Sequence, residues 1–261
     1  MTALAARRRH PMATVVLVLL SLTVVGLIYA LAAPGKATAA PASSDEVAAG
    51  KQVFLANCAT CHGVDAEGRR NAPSLIGVGA AAVDFQVSTG RMPLQATGPQ
   101  APASHENKLG TDKTRQVTSY VASLGPGPSI PAADQVDPTK GNEAKGADLF
   151  RTNCEMCHNF NGKGGALTRG KYAPNLDKAT PTEIYEAMLT GPQSMPVFGD
   201  STISPENKRD IIAWVRGVNE EPSPGGFNLG SIGPVSEGLA AWVIGLVALI
   251  GCAVWLGAKA S

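Results

Sequence analysis

A block of thirteen residues occurs twice in this chain, and any fold proposed for it must accommodate both copies. Gly50-Lys-Gln-Val-Phe54-Leu-Ala-Asn-Cys58-Ala-Thr-Cys61-His62 aligns with Gly146-Ala-Asp-Leu-Phe150-Arg-Thr-Asn-Cys154-Glu-Met-Cys157-His158 at a constant offset of 96. Further landmarks follow in the same order while the loops between them drift in length. Ala72-Pro73-Ser74-Leu75 answers Ala173-Pro174-Asn175-Leu176 at an offset of 101, and Met92-Pro93 answers Met195-Pro196 at 103. Tyr120-Val121 then answers Trp214-Val215 at 94. This is the trace of one small domain duplicated; two copies are too few for a solenoid. A Pro/Gly-rich stretch from Gly125 to Gly141 separates the copies and reads as a semi-extended linker. The expected boundaries are 44–125 for the first domain, 126–142 for the linker and 143–221 for the second domain. A second such stretch, Pro222-Ser-Pro-Gly-Gly226, follows.

Within each copy the apolar spacing is helical. Val47, Gly50 and Phe54 precede the first paired cysteines at i, i+3, i+7. Val117, Tyr120, Val121 and Leu124 close copy one at i, i+3, i+4, i+7, and Ile211, Trp214, Val215 and Val218 close copy two in the same way. Ser204-Pro205-Glu206-Asn207 has the form of an N-cap with proline at the first helical position. No segment alternates apolar and polar residues for long enough to suggest a sheet, so the fold class is all-α.

Two uncharged runs flank the repeats. Met12 to Ala33 is 22 residues without a charge, preceded by Arg7, Arg8 and Arg9; Gly238 to Ala258 is 21 more, bounded by Glu237 and Lys259. A 22-residue helix spans about 33 Å, enough for a hydrocarbon core of ~30 Å. The first run (12–33, after a basic segment 1–11) reads as an uncleaved signal anchor, although Ala37-Thr38-Ala39 could serve as a cleavage site. The second (238–258) is too long for a buried core helix and carries Trp242 and Trp255 near its ends, where indoles favour the interface. Positive charges outside both runs place both termini in the cytoplasm and residues 34–237 on the outer face of the cell membrane. Removing Arg7, Arg8, Arg9 and Lys259 leaves 18 basic against 21 acidic side chains. That balance gives no basic footprint for nucleic acid.

Five cysteines fall as two pairs and a single, Cys252, an inert thiol within the second run. Cys-x-x-Cys-His is the attachment signature of c-type haem: the thiols form thioethers with the vinyls and the histidine ligates iron. The expectation is two covalent c-type haems, one on Cys58 and Cys61 with His62 as axial ligand, one on Cys154 and Cys157 with His158. A four-ligand zinc site needs further Cys or His close by, and a thioredoxin-like pair belongs beside a βαβ unit; neither context is present. Each copy also supplies a methionine before proline, Met92 and Met195, as sixth ligand. The proline keeps the preceding residue extended on a stiff loop. Met156 lies inside the cysteine pair, Met188 fits a core stripe with Ile184, His105 reads as a loop histidine with a bis-histidine role as the alternative, and His10 is a flank residue. A ligating imidazole donates its second N–H to an acceptor, and the carbonyls of Pro73 and Pro174 occupy matched places for it. With His and Met on both irons there is no open position for a substrate. Electron transfer is therefore expected rather than a dihaem peroxidase.

Each copy resembles the class I cytochrome c domain, in which a helix bearing a glycine and an aromatic crosses a closing helix with an aromatic: Gly50 and Phe54 with Tyr120, Gly146 and Phe150 with Trp214. Over residues 12–261 the chain is similar to the dihaem cytochrome c subunit of the actinobacterial menaquinol–cytochrome c reductase. The stretches carrying this resemblance include Pro73-Ser-Leu-Ile-Gly-Val-Gly79, Phe85-Gln-Val-Ser-Thr-Gly-Arg-Met-Pro93, Cys157-His-Asn-Phe-Asn-Gly-Lys-Gly-Gly-Ala166, Gly170-Lys-Tyr-Ala-Pro174 and Met188-Leu-Thr-Gly-Pro-Gln193. The basic N-terminal extension is shorter than that family's pattern. The resemblance implies an electron-transfer subunit of a proton-translocating quinol–cytochrome c oxidoreductase, with quinol oxidation on the cytochrome b and Rieske iron–sulfur subunits. It also implies that the first domain takes electrons from the Rieske subunit and the second passes them to a haem–copper terminal oxidase in a supercomplex. A freestanding membrane-bound dihaem shuttle is the alternative.

Overall fold

The computed structural model describes residues 11–32, 42–70, 72–220, 229–231 and 233–260. Arg7 to Arg9, His10, the Ala37–Ala39 site and the Pro222–Gly226 stretch lie outside the described residues. The chain divides into two compact units, Met1–Ala39 and Ala40–Ser261.

The first unit contains α1 (Pro11–Ala32), with a mean hydropathy of 2.5 over Met12–Tyr29. The Ser21 and Thr23 hydroxyls donate to carbonyls three and four residues back, so both are satisfied inside the apolar run.

In the second unit, α2 (Ser44–Asn57) opens the first repeat, and the Ser43 hydroxyl caps it by accepting the Glu46 N–H. After α3 (Ala59–His62) and α4 (Gly79–Ser88), α5 (Thr111–Ser123) closes the repeat across α2. Gly50 is required at that crossing, since a Cβ there would lie 2.0 Å from the Gln116 carbonyl oxygen. One turn on, the Phe54 and Tyr120 rings meet at 5.3 Å. Phe54, Val83, Val87, Val117 and Val121 complete the core.

The stretch read as a linker is built into the fold. Ala81 donates its N–H to the Pro128 carbonyl at 3.1 Å, and α6 (Ala133–Val136) and a 3₁₀ turn at Pro138–Lys140 follow. Glycines make the close approach possible: Gly79 sits at φ 81, and a Cβ on it would be 2.4 Å from Pro128 N.

The second repeat has α7 (Glu143–Asn153), α8 (Glu155–His158), α9 (Pro181–Thr190) and α10 (Pro205–Glu220). Gly146 repeats the crossing, with a hypothetical Cβ 2.0 Å from the Asp210 carbonyl, and Phe150 stacks on Trp214 at 4.3 Å. Ser204 Oγ accepts the Asn207 N–H at 3.3 Å, the N-cap that its sequence predicts. One small ladder qualifies the all-helical expectation. Strands β1 (Gly165–Ala166) and β2 (Tyr172–Ala173) pair antiparallel, too short to show any alternation in sequence.

The repeats touch where α4 packs on α9. Gln100, from the first repeat, makes a two-point clamp on the main chain of Tyr172 in the second. Its Nε2 donates to the Tyr172 carbonyl (3.1 Å) and its Oε1 accepts the Tyr172 N–H (2.8 Å). Finally α11 (Pro234–Ala260) is apolar with a mean hydropathy of 2.4 over Val235–Lys259 and no part of that span buried. It is therefore not a core helix. Cys252 lies exposed on it.

Candidate functional site

The two Cys-x-x-Cys-His segments adopt the same backbone. Each first cysteine breaks the preceding helix (Cys58 at φ −123, ψ −31; Cys154 at φ −122, ψ −34) while donating its N–H to the aromatic carbonyl four residues back at 2.8 Å. A new helical turn starts at once. His62 and His158 donate their N–H groups to the carbonyls of Cys58 and Cys154, both at 2.9 Å. The turn puts both thiols and the imidazole on one short element.

The chain then folds under each ring. His62 Nδ1 lies 2.8 Å from the Pro73 carbonyl oxygen and His158 Nδ1 lies 3.1 Å from that of Pro174. These are the two acceptors that the sequence singles out. A carbonyl can only accept, so Nδ1 carries the proton and Nε2 presents its lone pair outward for a metal. Burial holds His158 below the ordinary histidine range, with the Pro174 bond partly offsetting it, which keeps the ring neutral and able to ligate.

Sequence reasoning missed the residues that make this approach possible. Gly68 and Gly164 donate to the His62 and His158 carbonyls, both at 2.8 Å, from left-handed conformations (φ 84 and 80). A Cβ on either would lie 2.5 Å from the returning chain, at Ser74 N or the Ala173 carbonyl oxygen. The signal was present, because both glycines stand six residues after the histidine and keep the offset of 96.

In the second repeat, Cys154, Cys157, His158 and Met195 line one cavity of 290 Å³. Its walls are largely apolar, from Phe150, Leu176, Ile184, Phe198, Ile211 and Val215 among others. Met195 rides on a loop fixed at both sides: its N–H reaches the Pro192 carbonyl (3.0 Å) and the Phe198 N–H reaches that of Met188 (2.7 Å). Downstream, Lys208 is fully buried and donates to Asp200 (2.6 Å) and the Ile203 carbonyl (2.9 Å), which ties down the rest of that loop. In the first repeat Met92 and Cys58 pack against the same core cluster, and the Met92 N–H is held by the Gln86 carbonyl at 2.8 Å.

The weaker candidates are placed as follows. Met188 is 2% exposed, a core residue that also forms part of the cavity wall, and Met156 is 95% exposed. His105, exposed at φ 55, lines the second repeat's cavity together with Phe85, Arg91 and Gln100, all from the first repeat. The domains therefore share this cavity's rim.

The thiols themselves discriminate between chemistries. Burial, then the neighbouring cysteine, pushes Cys58 up to about 11 and Cys154 up to about 12. Reactive dithiols work with a lowered pKa, and burial moves these thiols in the opposite direction. No group of three or more His, Cys, Asp and Glu that could hold a bare metal ion occurs among the described residues. Two thiols one turn apart, a neutral imidazole facing an apolar slot and a thioether in that slot fit a covalently held haem.

Comparisons with known proteins agree. Residues 47–125 match the family model "Cytochrome c" and residues 141–215 match "Cytochrome C oxidase, cbb3-type, subunit III". The chain is 45% identical over 253 residues to the "Cytochrome bc1 complex cytochrome c subunit" of Corynebacterium efficiens, covering 89% of this chain and 84% of that one. To the subunit of the same name from Mycobacterium bovis it is 45% identical over 261 residues, covering 97% and 93%. A solved chain of the Kuenenia stuttgartiensis reducing HAO-like protein complex aligns at 14% identity and a TM-score of 0.35, over 69% of this chain and 99% of that one; a likeness this low carries no weight. Two cytochrome c domains mean two covalently bound c-type haems and a role in electron transfer. The chain belongs to the family of cytochrome c subunits of the cytochrome bc1 complex.

Proposed function

We propose that Cys58 and Cys61 hold the first haem, with His62 and Met92 on its iron, and that Cys154, Cys157, His158 and Met195 do the same for the second. One observation carries this reading: in both repeats the ring Nδ1 is committed to a proline carbonyl, which leaves Nε2 for the iron, and in the second repeat that ring lines one cavity with both thiols and Met195. When bound, haem supplies a one-electron iron couple. The protein holds it by two thioethers, orients it through a fixed imidazole, raises its potential with a thioether ligand and keeps water out with apolar walls. Haem held with His62 and Met92, or with His158 and Met195, closing its iron would act as an outer-sphere carrier within domains 44–125 and 143–221.

The chain is read as a relay in a quinol–cytochrome c reductase beside cytochrome b and Rieske subunits. Electrons enter from the Rieske protein at the first haem and leave from the second to a haem–copper oxidase. The relatives' membership of a bc1 complex supports the first half. The second repeat's likeness to an oxidase subunit supports the other. With α1 and α11 as membrane spans, Arg7 to Arg9 and Lys259 put both termini in the cytoplasm and the haem domains outside. Purification through this chain in mild detergent tests the relay. Pyridine haemochrome analysis should give two c-type haems per chain, together with b-type haem and oxidase. A lone dihaem protein would indicate a freestanding shuttle, and a peroxide-reactive high-spin haem would indicate a peroxidase.

A further inference from the structure

Glu186 is fully buried on α9, at the contact between the repeats, and neither of its carboxyl oxygens has a hydrogen-bond donor among the described residues. Across the contact α4 carries Asp84, close enough for the two carboxyls to act on each other. Two neighbouring carboxylates repel, so the pair favours holding a proton. The charges around Glu186 do not compensate it. Glu183, one turn back on its own helix, repels it, as Asp84 does. The cations on neighbouring elements are engaged elsewhere. Lys208 of α10 is bound to Asp200 and the Ile203 carbonyl, and Arg209 donates to the Asp134 carbonyl of α6. Arg91 lies over the Phe85 ring at 4.7 Å and couples to Glu183. Gln86 Oε1 and Ser88 Oγ, on α4 beside Asp84, are likewise buried without partners. Glu183, Ile184, Ala187 and Met188 of the same helix α9 line the second repeat's cavity. A buried carboxyl, Glu186, with the half-buried Asp84 opposite it and no counter-ion among the described residues, thus sits one helix face away from the space assigned to the second haem.

We propose that Asp84 and Glu186 form a redox-linked proton site, which takes up one proton from water when one electron reduces the second haem and releases it on reoxidation. The inference rests on the second repeat holding haem as described above. Charge balances: iron passes from ferric to ferrous with one electron from the relay's own donor, and one carboxylate oxygen of the pair becomes a carboxyl. The coupling is electrostatic. A ferric haem core carries one more positive charge than a ferrous core, and through a low-dielectric interior that charge lowers the pair's affinity for a proton. Burial first, and Asp84 next, push Glu186 up to about 9, and the ferric core draws that value down. The potential should therefore fall with rising pH from the lower value to about 9 and level off above it.

The test is a potentiometric titration of the haem-loaded full chain in detergent across neutral and alkaline pH, after haem content and His/Met spectra have been checked in each variant. In the wild type the second haem's midpoint potential should drop by up to about 59 mV per tenfold fall in proton activity. Glu186→Gln should flatten that slope, and Asp84→Asn should move it to lower pH. A wild type without a slope, or the same slope in Glu186→Gln with both haems present, overturns the proton site and leaves the haem assignment intact. Loss of the second haem's His/Met spectrum in a Met195 variant is the separate check on that assignment. Should Glu186→Gln fail to load haem, the wild type's reduced-minus-oxidised infrared spectrum decides: a carboxyl C=O band gained on reduction supports the site, and its absence refutes it.

Discussion

Met195→Ala would remove the sulfur from the second repeat's cavity while leaving its walls in place. The second haem should then show a high-spin component, and its potential should drop by on the order of a tenth or more of the ~0.8 V range that axial ligation controls. Optical and potentiometric titration reads both, with the first haem as internal reference. Glu186 gives a second prediction at this scale. A carboxyl whose pKa is raised on folding, from an ordinary 4.5 to about 9, favours the folded state while protonated. That advantage is lost as pH climbs from the ordinary value through the raised one, because the native protein must then hold a buried anion. Glu186→Gln keeps the shape and can donate to Asp84. Its thermal midpoint should pull ahead of the wild type as pH rises, with the gap levelling off above about pH 9. Parallel melting curves across that range would refute this.

At the scale of helices, the crossings of α2 with α5 and of α7 with α10 depend on one missing side chain each. Gly50→Ala and Gly146→Ala would each push a methyl into a carbonyl oxygen 2.0 Å away. Each should cost about 1–3 kcal/mol or more, read by denaturant unfolding of the haem-loaded protein. These crossings were legible in the sequence, because the glycine, the aromatic and the closing helix recur in order in both copies. So were the imidazole acceptors, from the matched prolines. The α4–α9 contact was not. Gly79-Ala-Ala-Ala-Val-Asp-Phe has no face that stands out, and a single acid such as Asp84 ordinarily marks solvent. Only tertiary packing turns it toward Glu186. The docking of Gly127 and Pro128 on Gly79 was hidden for a similar reason: Pro/Gly composition describes a loose chain equally well, and the difference lies in a fit between distant backbones.

Across the whole molecule, Gln100 joins the two repeats through main-chain atoms of Tyr172. Gln100→Ala removes both bonds, each worth about 1 kcal/mol at most in this exposed setting. Hydrogen exchange at the Tyr172 amide should speed up several-fold while amides in α2 and α5 keep their protection. Unchanged exchange at Tyr172 would show that the clamp does not protect that amide. The shared rim has a last consequence. Because Phe85, Arg91, Gln100 and His105 wall part of the second repeat's cavity, the first repeat serves as insulation as well as conductor. A fragment spanning 141–220, cut free of its neighbour, would keep its porphyrin but bare one flank to dissolved oxygen. Such a severed half should rust in air, discharging into solution the electrons that the intact chain delivers.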